Sequence, residues 1–414
     1  MDFEAFKLNT SIAASIKAMG YVEPTPIQVK ALPPVLEGRD VMGQAQTGTG
    51  KTAVFVLPIL QRLLNQKRGP VRALIVAPTR ELAEQIHMAI IDMGRNTGAR
   101  SVTVYGGVGM EPQLRSLRAG TDIVVACPGR LLDHIERRTV DLSQVEVLVL
   151  DEADRMLDMG FLPDIRRIIS YLPKKRQTML FSATLPEDIR RLAHEFMHDP
   201  VAVLTGTSAP VETVSHALYP VPQHLKTPLL IELLRKTDTR SVLVFTRTKH
   251  RAKRLGETLV GAGFKATSIQ GNLSQNKRQA AMDGFRNGTF RILVATDIAA
   301  RGIDVSTISH VINFDIPNTA DAYTHRIGRT GRVERTGDAF TLVTRDDEGM
   351  ISTIERLLGS RIERRVLPSF DYDRPAPSKG GDLSRRGREF RQPRDTGRYG
   401  WQRPARNGRG FGRR

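Results

Sequence analysis

Two short segments hold residues whose types and order suit chemistry on a nucleoside triphosphate. One is a glycine-rich turn, residues 45–52, that ends in Lys51 and Thr52; the other is Asp151-Glu152-Ala153-Asp154, after the apolar run 145–150. Such a turn offers backbone N–H groups and a lysine to phosphates, and its threonine hydroxyl to Mg²⁺. Acidic residues after a buried strand lie where open α/β sheets bind ligands. Together the segments predict a site for NTP hydrolysis.

Each residue of this site has its own expected role. Lys51 would bind phosphate oxygens, and Asp151 would hold the metal together with Thr52. Glu152 would orient or deprotonate a water molecule. The strict phosphate-loop pattern has glycine where this chain has alanine. The expected nucleotide-binding residues of the loop are Ala45, Gln46, Thr47, Gly48, Thr49, Gly50, Lys51 and Thr52.

The bulk composition limits the class of protein. The 414 residues suffice for two α/β domains with an extension, and 40% hydrophobic residues support packed cores. The single cysteine, Cys127, excludes a disulfide framework and suits a reducing compartment. The acidic start lacks an apolar signal segment, and the longest apolar stretch, around 54–60, is far too short to span a membrane. We therefore expect a cytoplasmic protein without a membrane partner.

Positive charge is concentrated near the C-terminus. Residues 374–414 carry +10 of the net +18, from 13 basic and 3 acidic residues. This segment is rich in Gly and Pro and poor in aliphatic residues, so it cannot bury enough apolar surface to fold alone. Arginines alternating with aromatic residues are typical of flexible RNA-binding segments; a solubilising tail that binds RNA incidentally is the alternative. The aromatic residues of the tail are Phe390, Tyr399, Trp401 and Phe411.

Strand and helix patterns alternate twice along the chain, which predicts the α/β class with parallel, doubly wound sheets. We expect one domain over residues 1–204, a linker over 205–218, a second domain over 219–368 and a disordered tail over 369–414. Only the first half has a phosphate loop, so the second half would complete its site. The main predicted strands are 73–77, 101–105, 123–126, 145–150 and 178–182, then 241–246, 266–270, 292–296, 310–314 and 339–344.

Further short motifs follow one another in a characteristic order. They are GYVEPTPIQ at 20–28, PTRELA at 78–83, GG at 106–107, PGR at 128–130, SAT at 182–184, ARGID at 300–304 and HRIGRTGR at 325–332. With the two NTP segments, they resemble the DEAD-box RNA helicases over about residues 1–368. The resemblance implies two tandem RecA-like domains, ATP and Mg²⁺ as cofactors, and duplex or single-stranded RNA as partner. The short core with a basic tail is similar to stand-alone bacterial members of the RhlE type.

The resemblance also implies contacts to the nucleotide base and ribose. The Gln28 amide has a donor and an acceptor that can read adenine and select ATP over GTP. Phe3 would pack near the base, and Tyr21 of the same motif belongs to the expected ATP-binding set. Asp304 would accept hydrogen bonds from the ribose.

The second half would supply groups that respond to ATP. Arg329 and Arg332 lie three residues apart on a predicted helix and so share a face. The resemblance makes both arginine fingers for the γ-phosphate. Asp154 would connect the SAT motif with the second half across the cleft. The expected coupling residues are Asp154, Ser182, Thr184 and His325.

The expected RNA groove consists of turns and helix starts. Thr79 and Arg80 open a helix whose N-terminal amides can hold a phosphate, and paired glycines permit close backbone approach. Cys127 stands where the family usually has threonine, so a thiol replaces a hydroxyl donor at one phosphate contact. The expected RNA-binding residues are Pro78, Thr79, Arg80, Gly106, Gly107, Pro128, Gly129, Arg130, Gly271, Arg278, Thr296, Asp297 and Arg301.

These features predict an ATP-dependent RNA helicase that separates short duplexes locally, with RNA-stimulated ATP hydrolysis. Two alternatives are an ATP-gated RNA clamp with little unwinding and a DNA helicase. The intact Lys51, Glu152 and Arg329 favour an active enzyme. Ribosomal or RNA-degradation partners, reached through the tail, are a further expectation. Contacts to the RNA backbone carry no sequence information, so the sequence leaves the target RNA open.

Overall fold

Each half of the chain is built on a parallel β-sheet. The computed structural model describes residues 2–45, 48–64, 69–205, 214–237, 239–300, 308–330 and 337–376. Within these ranges each sheet has seven strands, and every strand pair is parallel. The α/β class with two doubly wound sheets is thereby confirmed.

The first half begins with a 3-10 turn at Phe3–Phe6 and then alternates helices with strands. Its strands are β1 (Val41–Gln44), β2 (Ala73–Val76), β3 (Ser101–Val104), β4 (Ile123–Ala126), β5 (Val147–Leu150), β6 (Gln177–Ser182) and β7 (Val201–Leu204). Its helices are α1 (Thr10–Ala18), α2 (Pro26–Leu36), α3 (Lys51–Leu63), α4 (Arg80–Met93), α5 (Met110–Arg118), α6 (Pro128–Glu136), α7 (Ala153–Asp158), α8 (Leu162–Ser170) and α9 (Glu187–Phe196).

The second half repeats this alternation. Its strands are β8 (Val214–Pro220), β9 (Val242–Phe245), β10 (Ala266–Ile269), β11 (Ile292–Ala295), β12 (His310–Asn313), β13 (Gly337–Val343) and β14 (Glu363–Arg364). Its helices are α10 (Lys226–Lys236), α11 (Lys249–Gly261), α12 (Gln275–Arg286), α13 (Asp297–Ala300), α14 (Ala320–Ile327) and α15 (Glu348–Leu358), with 3-10 turns at Gln223–Leu225 and Arg345–Asp347.

The two sheets have the same topology. The first has the order β3-β4-β2-β5-β6-β1-β7, and the second has β10-β11-β9-β12-β13-β8-β14. Each strand of the second half therefore occupies the place of the strand seven positions earlier. Since parallel strands end at one edge, the loops after β1, β5 and β6 meet at the same edge of the first sheet.

Both faces of the central strands are covered, which explains their continuous apolar sequences. Along β2, Ala73 and Ile75 belong to one hydrophobic core, while Leu74 and Val76 belong to the core on the opposite face. A strand buried on both sides must be apolar at every position. This burial fixes the sheet edge that carries the acidic motif.

The structure corrects the expected linker. Residues 214–218 belong to β8, which pairs with β13 over its whole length. Val214 and Ala217 are buried, so this segment is part of the second core. Residues 206–213 lie outside the described residues.

The compact unit that contains both sheets extends to Tyr372, beyond the expected boundary at residue 368. Phe370 and Tyr372 pack against the core of the second half, and the Leu367 amide donates a hydrogen bond of 2.9 Å to the Tyr372 hydroxyl. The remainder, Asp373–Arg414, forms a separate unit, of which residues 377–414 lie outside the described residues.

Candidate active site

The phosphate loop connects β1 to α3 and depends on two glycines. Gly48 and Gly50 have φ angles of 85° and 87°, a conformation that other residues rarely adopt. The Lys51 ammonium, 6% exposed, donates a hydrogen bond of 2.6 Å to the Ala45 carbonyl. Because of this hydrogen bond, the Lys51 side chain folds back toward the start of the loop. Gln46 and Thr47 of the expected set lie outside the described residues.

The Gln28 side chain braces this loop from α2. Its amide nitrogen donates to the Gly50 carbonyl at 3.1 Å, and its amide oxygen accepts from the Thr25 backbone N–H at 2.9 Å. The Thr25 hydroxyl donates to the Thr49 carbonyl at 2.8 Å. Gln28 is 1% exposed. A cavity lies beside Lys51 and Thr52, and Gln28 is not among the described residues that line it. The Gln28 amide nitrogen can still donate one hydrogen bond, and its oxygen can still accept one. Adenine recognition by Gln28 therefore stays a prediction.

Aromatic residues lie at one end of that cavity. Tyr21 lines it, and burial raises the pKa of the Tyr21 hydroxyl. Phe3 is buried behind Tyr21, with ring centroids 5.6 Å apart in an edge-to-face arrangement. The structure thus places Tyr21 at the cavity and Phe3 as its support.

The two acidic residues after β5 are buried and line the same cavity. Asp151 and Glu152 are each 3% exposed. Burial raises the pKa of Asp151 to about 6, against the opposing effect of Lys51. Glu152 has a left-handed backbone with φ of 55°, and its carboxylate accepts a hydrogen bond of 2.6 Å from Arg155. The sequence reasoning did not single out Arg155.

Asp154 ties this motif to the end of β6. Its Oδ2 accepts hydrogen bonds from the Ala183 and Thr184 amides at 3.1 and 2.9 Å and from the Thr184 hydroxyl at 3.1 Å. The Ser182 hydroxyl accepts from the Asp154 amide at 3.2 Å. Burial disfavours the charged form of Asp154, but the Thr184 hydrogen bond and nearby His325 lower its pKa overall. The structure therefore brings the expected coupling residues together.

Arg329 brings the second half to the nucleotide cavity. A cavity of about 410 Å³ is lined by Lys51, Thr52, Asp151 and Glu152 from the first half and by Arg329, 4% exposed, from the second. Helix α14 ends at Ile327, so Arg329 lies after the helix, and its predicted position on the helix was wrong. Arg329 also lines a second cavity of about 730 Å³, with Asp154, Arg155, Thr184 and His325. Burial and the positive charge of Arg155 lower the pKa of His325. Arg332 and Asp304 lie outside the described residues.

A buried arginine near Arg329, Arg326, connects several elements of the second half. Arg326 donates to both Asp297 carboxylate oxygens, at 2.5 and 2.7 Å, and to the Asn313 side chain at 3.0 Å. Its guanidinium also lies 4.9 Å from the Phe245 ring centroid. Asp297, expected to contact RNA, is thus engaged by Arg326. The only signal for Arg326 in the sequence is its position within the HRIGRTGR motif.

The expected RNA residues Arg80 and Arg278 connect the two halves directly. Arg278 makes an ion pair of 2.6 Å with Glu81, with side chains 13% and 7% exposed. Arg80 donates to the Gln275 side chain at 3.3 Å. Thr79 caps α4 by accepting from the Leu82 amide at 3.3 Å. Helices α4 and α12 are therefore joined in this arrangement.

The glycine turns lie around Arg80. Gly107 has φ of 80°, a conformation that residues with a side chain rarely adopt, and its open Cα face lies against the Arg80 guanidinium. Arg130 donates to the Val108 carbonyl at 3.2 Å. Gly106 lies next to Gly107, whereas Pro78 and Pro128 stand at the starts of α4 and α6.

The remaining expected RNA positions follow strand ends. Thr296 directly follows β11, and open space lies beside Gly129 and Gly271, where a ligand backbone can approach. Cys127 precedes α6 without capping it through its side chain, and burial raises the pKa of its thiol to about 12. The thiol is therefore neutral at physiological pH. Arg301 lies outside the described residues.

Two α/β halves with parallel sheets, and a phosphate-loop cavity that an arginine of the second half also lines, are typical of the helicase class of ATPases. Residues 25–192 match the DEAD/DEAH box helicase family, and residues 225–334 match the helicase conserved C-terminal domain. The DEAD-box ATP-dependent RNA helicase CshA of Geobacillus kaustophilus is 44% identical over 370 residues, covering 89% of this chain and 79% of that protein. CshA of Bacillus subtilis is 42% identical, with 89% and 75% covered. The chain belongs to the DEAD-box family of RNA helicases.

Solved structures agree with this assignment. Saccharomyces cerevisiae Dbp5 bound to RNA and ADP BeF3 matches with a TM-score of 0.79 at 31% identity, over 88% of this chain and 95% of that chain. A DEAD box protein of Methanococcus jannaschii matches with a TM-score of 0.53 at 37% identity, over 88% and 99%. In the described part of the chain, no helix is long and apolar enough to cross a membrane.

Proposed function

We propose that this protein is an RNA-stimulated ATPase that uses ATP binding to separate short RNA duplexes locally. The observation that carries the proposal is the position of Arg329 in the same cavity as Lys51, Asp151 and Glu152. Because the site is shared between the two halves, hydrolysis would require the halves to come together. RNA would bind to residues of both halves, so RNA binding would depend on the same movement.

ATP would bind with its phosphates on the loop after β1. Lys51 would leave the Ala45 carbonyl for phosphate oxygens, and Arg329 would face the γ-phosphate. We include Gln46, Thr47, Asp304 and Arg332 in this site by resemblance. Arginine fingers contribute about 10³–10⁵-fold in rate in related phosphoryl transfers.

The site suits Mg²⁺. The Thr52 hydroxyl and the Asp151 carboxylate line one cavity, and Mg²⁺ prefers one or two carboxylates together with phosphate oxygens and water. When bound, Mg²⁺ would neutralise developing phosphate charge. Glu152 would take a proton from the attacking water, or orient it, from its buried position.

RNA would bind along the edge that carries the turns around Arg80 and the starts of α6 and α12. When the halves approach, the Glu81–Arg278 pair joins two half-sites into one groove. A strand bent to fit that groove cannot remain paired, so the duplex opens there. Hydrolysis and phosphate release would separate the halves again and free the strand.

The remaining expectations are part of the proposal. We assign residues 1–204 to the first domain and the chain from β8 to Tyr372 to the second, and we assign the tail a role in RNA binding. A cytoplasmic location rests on the single cysteine. The RhlE resemblance and ribosomal or RNA-degradation partners remain predictions.

The test is ATP hydrolysis and unwinding of a short RNA duplex by the full chain, compared with Glu152→Gln. Gln keeps the shape of the side chain but cannot accept the proton, so we expect kcat to fall by at least about 10²-fold. RNA binding with ATP should persist and become long-lived. Glu195→Gln, at an exposed ion pair, is the matched control.

Two results would contradict the proposal. Wild-type ATPase that RNA does not stimulate would leave an ATP-gated clamp as the better description. Equal stimulation and unwinding with DNA of the same sequence would indicate a DNA helicase, because 2′-hydroxyl contacts would then play no part.

A further inference from the structure

Arg155 makes a buried ion pair with Glu152, one helical turn earlier in the chain. The Arg155 Nη1 and Glu152 Oε2 atoms are 2.6 Å apart, and the two side chains are 8% and 5% exposed. Among the described residues, Arg155 is the hydrogen-bond partner of this carboxylate, and the bond uses only Oε2. A short charge-assisted bond of this kind fixes both distance and direction.

The backbone and the ion pair together determine where this carboxylate points. The left-handed conformation of Glu152, with φ of 55°, is uncommon for a residue with a side chain. It directs Glu152 into the cavity that holds Lys51, while Arg155 faces the larger cavity that contains His325. The ion pair therefore lies between the two cavities.

Without Arg155, other cations of the same cavity would attract the carboxylate. Lys51 and Arg329 are cations that line the same cavity as Glu152. A glutamate with free torsions would turn toward either of them, because a buried charge requires a partner. In that orientation it could not contact the attacking water.

We propose that Arg155 is a positioning residue for ATP hydrolysis, which holds the Glu152 carboxylate in the orientation needed to act on the attacking water. The inference rests on the proposed role of Glu152. Arg155 does not itself line the nucleotide cavity, whereas Glu152 does; Arg155 therefore acts through Glu152. Its loss should lower kcat and leave substrate binding intact.

The experiment compares full-length wild type, Arg155→Ala, Arg155→Lys and Arg155→Ala/Glu152→Gln. Arg166→Ala, which removes an exposed arginine–glutamate pair in the same half, is the matched control. Steady-state ATPase at saturating RNA gives kcat and the KM for ATP. Fluorescence anisotropy with labelled RNA and AMP-PNP reports formation of the closed complex, and thermal unfolding reports folding.

We expect Arg155→Ala to lower kcat by about 10- to 100-fold, a part of what a general base contributes. The KM for ATP and the AMP-PNP-dependent RNA affinity should stay within about twofold of wild type. Arg155→Lys, which keeps the charge, should recover part of the loss. The double variant should be no slower than Glu152→Gln alone, because both changes act at one step.

Several results would overturn the inference. Wild-type kcat in Arg155→Ala, or a higher one, would exclude positioning. A loss of RNA affinity equal to the loss of kcat would make Arg155 a closure residue instead. If Arg155→Ala does not fold, Arg155→Lys decides: an unchanged kcat together with an unchanged KM contradicts the inference. A wild type without RNA-stimulated ATPase would reject the proposed function itself, whatever the variants do.

Discussion

At the scale of single residues, Gln28 has one observed contact and one proposed contact, which a single experiment can separate. Its amide braces the phosphate loop through Gly50, which affects any nucleotide. The resemblance gives it a second contact, to adenine alone. If Gln28 only supports the loop, a Gln28 variant should lose affinity equally for every nucleotide. If Gln28 also recognises the base, the variant should lose additional affinity for adenine nucleotides.

We expect Gln28→Ala to weaken GDP by about tenfold, the loss of one buried hydrogen bond, and to weaken ADP by more than that. Binding constants for both nucleotides, measured by calorimetry or with fluorescent analogues, give the comparison. Unchanged GDP affinity would argue against the brace. Equal losses for the two nucleotides would show that the base is recognised elsewhere.

What the sequence revealed at this scale depended on local spacing. The positions of Lys51, Asp151 and Glu152 follow from one loop and one strand end, and the structure places them in one cavity. Arg326 was missed because its partner Asp297 is 29 residues away in the sequence. Arg155 was missed because its spacing of three residues from Glu152 does not show that the pair is buried. A buried arginine in a helix is indistinguishable, in sequence, from an arginine on a solvated face.

At the scale of elements, the contact between α4 and α12 joins the two halves through the Glu81–Arg278 pair. Both side chains are nearly buried in this arrangement. When the halves separate, each charge regains water. Loss of this ion pair should therefore destabilise the joined arrangement of the two halves much more than it destabilises the fold of either half.

We expect Glu81→Arg and Arg278→Glu each to weaken AMP-PNP-dependent RNA binding by at least about 30-fold, because like charges would then face each other. The double variant restores an opposite pair and should recover most of the loss. Thermal unfolding without nucleotide should change little in all three. A double variant as weak as either single variant would mean that these side chains mainly contact RNA.

The strands show which elements a sequence can reveal. Apolar runs such as residues 147–150 and 292–295 predicted central strands because these are buried on both faces. Strands β1, β7 and β14 were missed. Gly and Gln interrupt the apolar pattern of β1, and β7 and β14 lie at sheet edges with exposed residues. Strand β8 was assigned to the linker because Gly, Ser and Pro precede it.

At the scale of the whole molecule, the repeated strand order explains why one nucleotide motif serves two halves. Only the first half carries a phosphate loop after its β1, and the equivalent β8 leads to no such loop. The second half instead contributes Arg329. In the proposed mechanism, catalysis depends on the mutual placement of two similar halves, and the tail takes no part in the chemistry.

Removal of the tail after Tyr372, the end of the compact unit, should leave kcat at saturating RNA nearly unchanged. The RNA concentration for half-maximal stimulation should rise by a similar factor for unrelated RNA sequences, since phosphate contacts and stacking are sequence-tolerant. If the tail binds about five phosphates of a single strand, the slope of log K against log salt should become shallower by about 3–4.

A full-length control separates charge from stacking in this prediction. Replacing the tail residues Phe390, Tyr399, Trp401 and Phe411 by leucine removes the rings and keeps all 13 basic residues. Because counterion release follows charge alone, this variant should lose affinity and keep the wild-type salt slope. Identical affinity and slope in the truncated and full-length proteins would exclude an RNA-binding role for the tail. A loss confined to one RNA sequence would instead identify the tail as a specific reader.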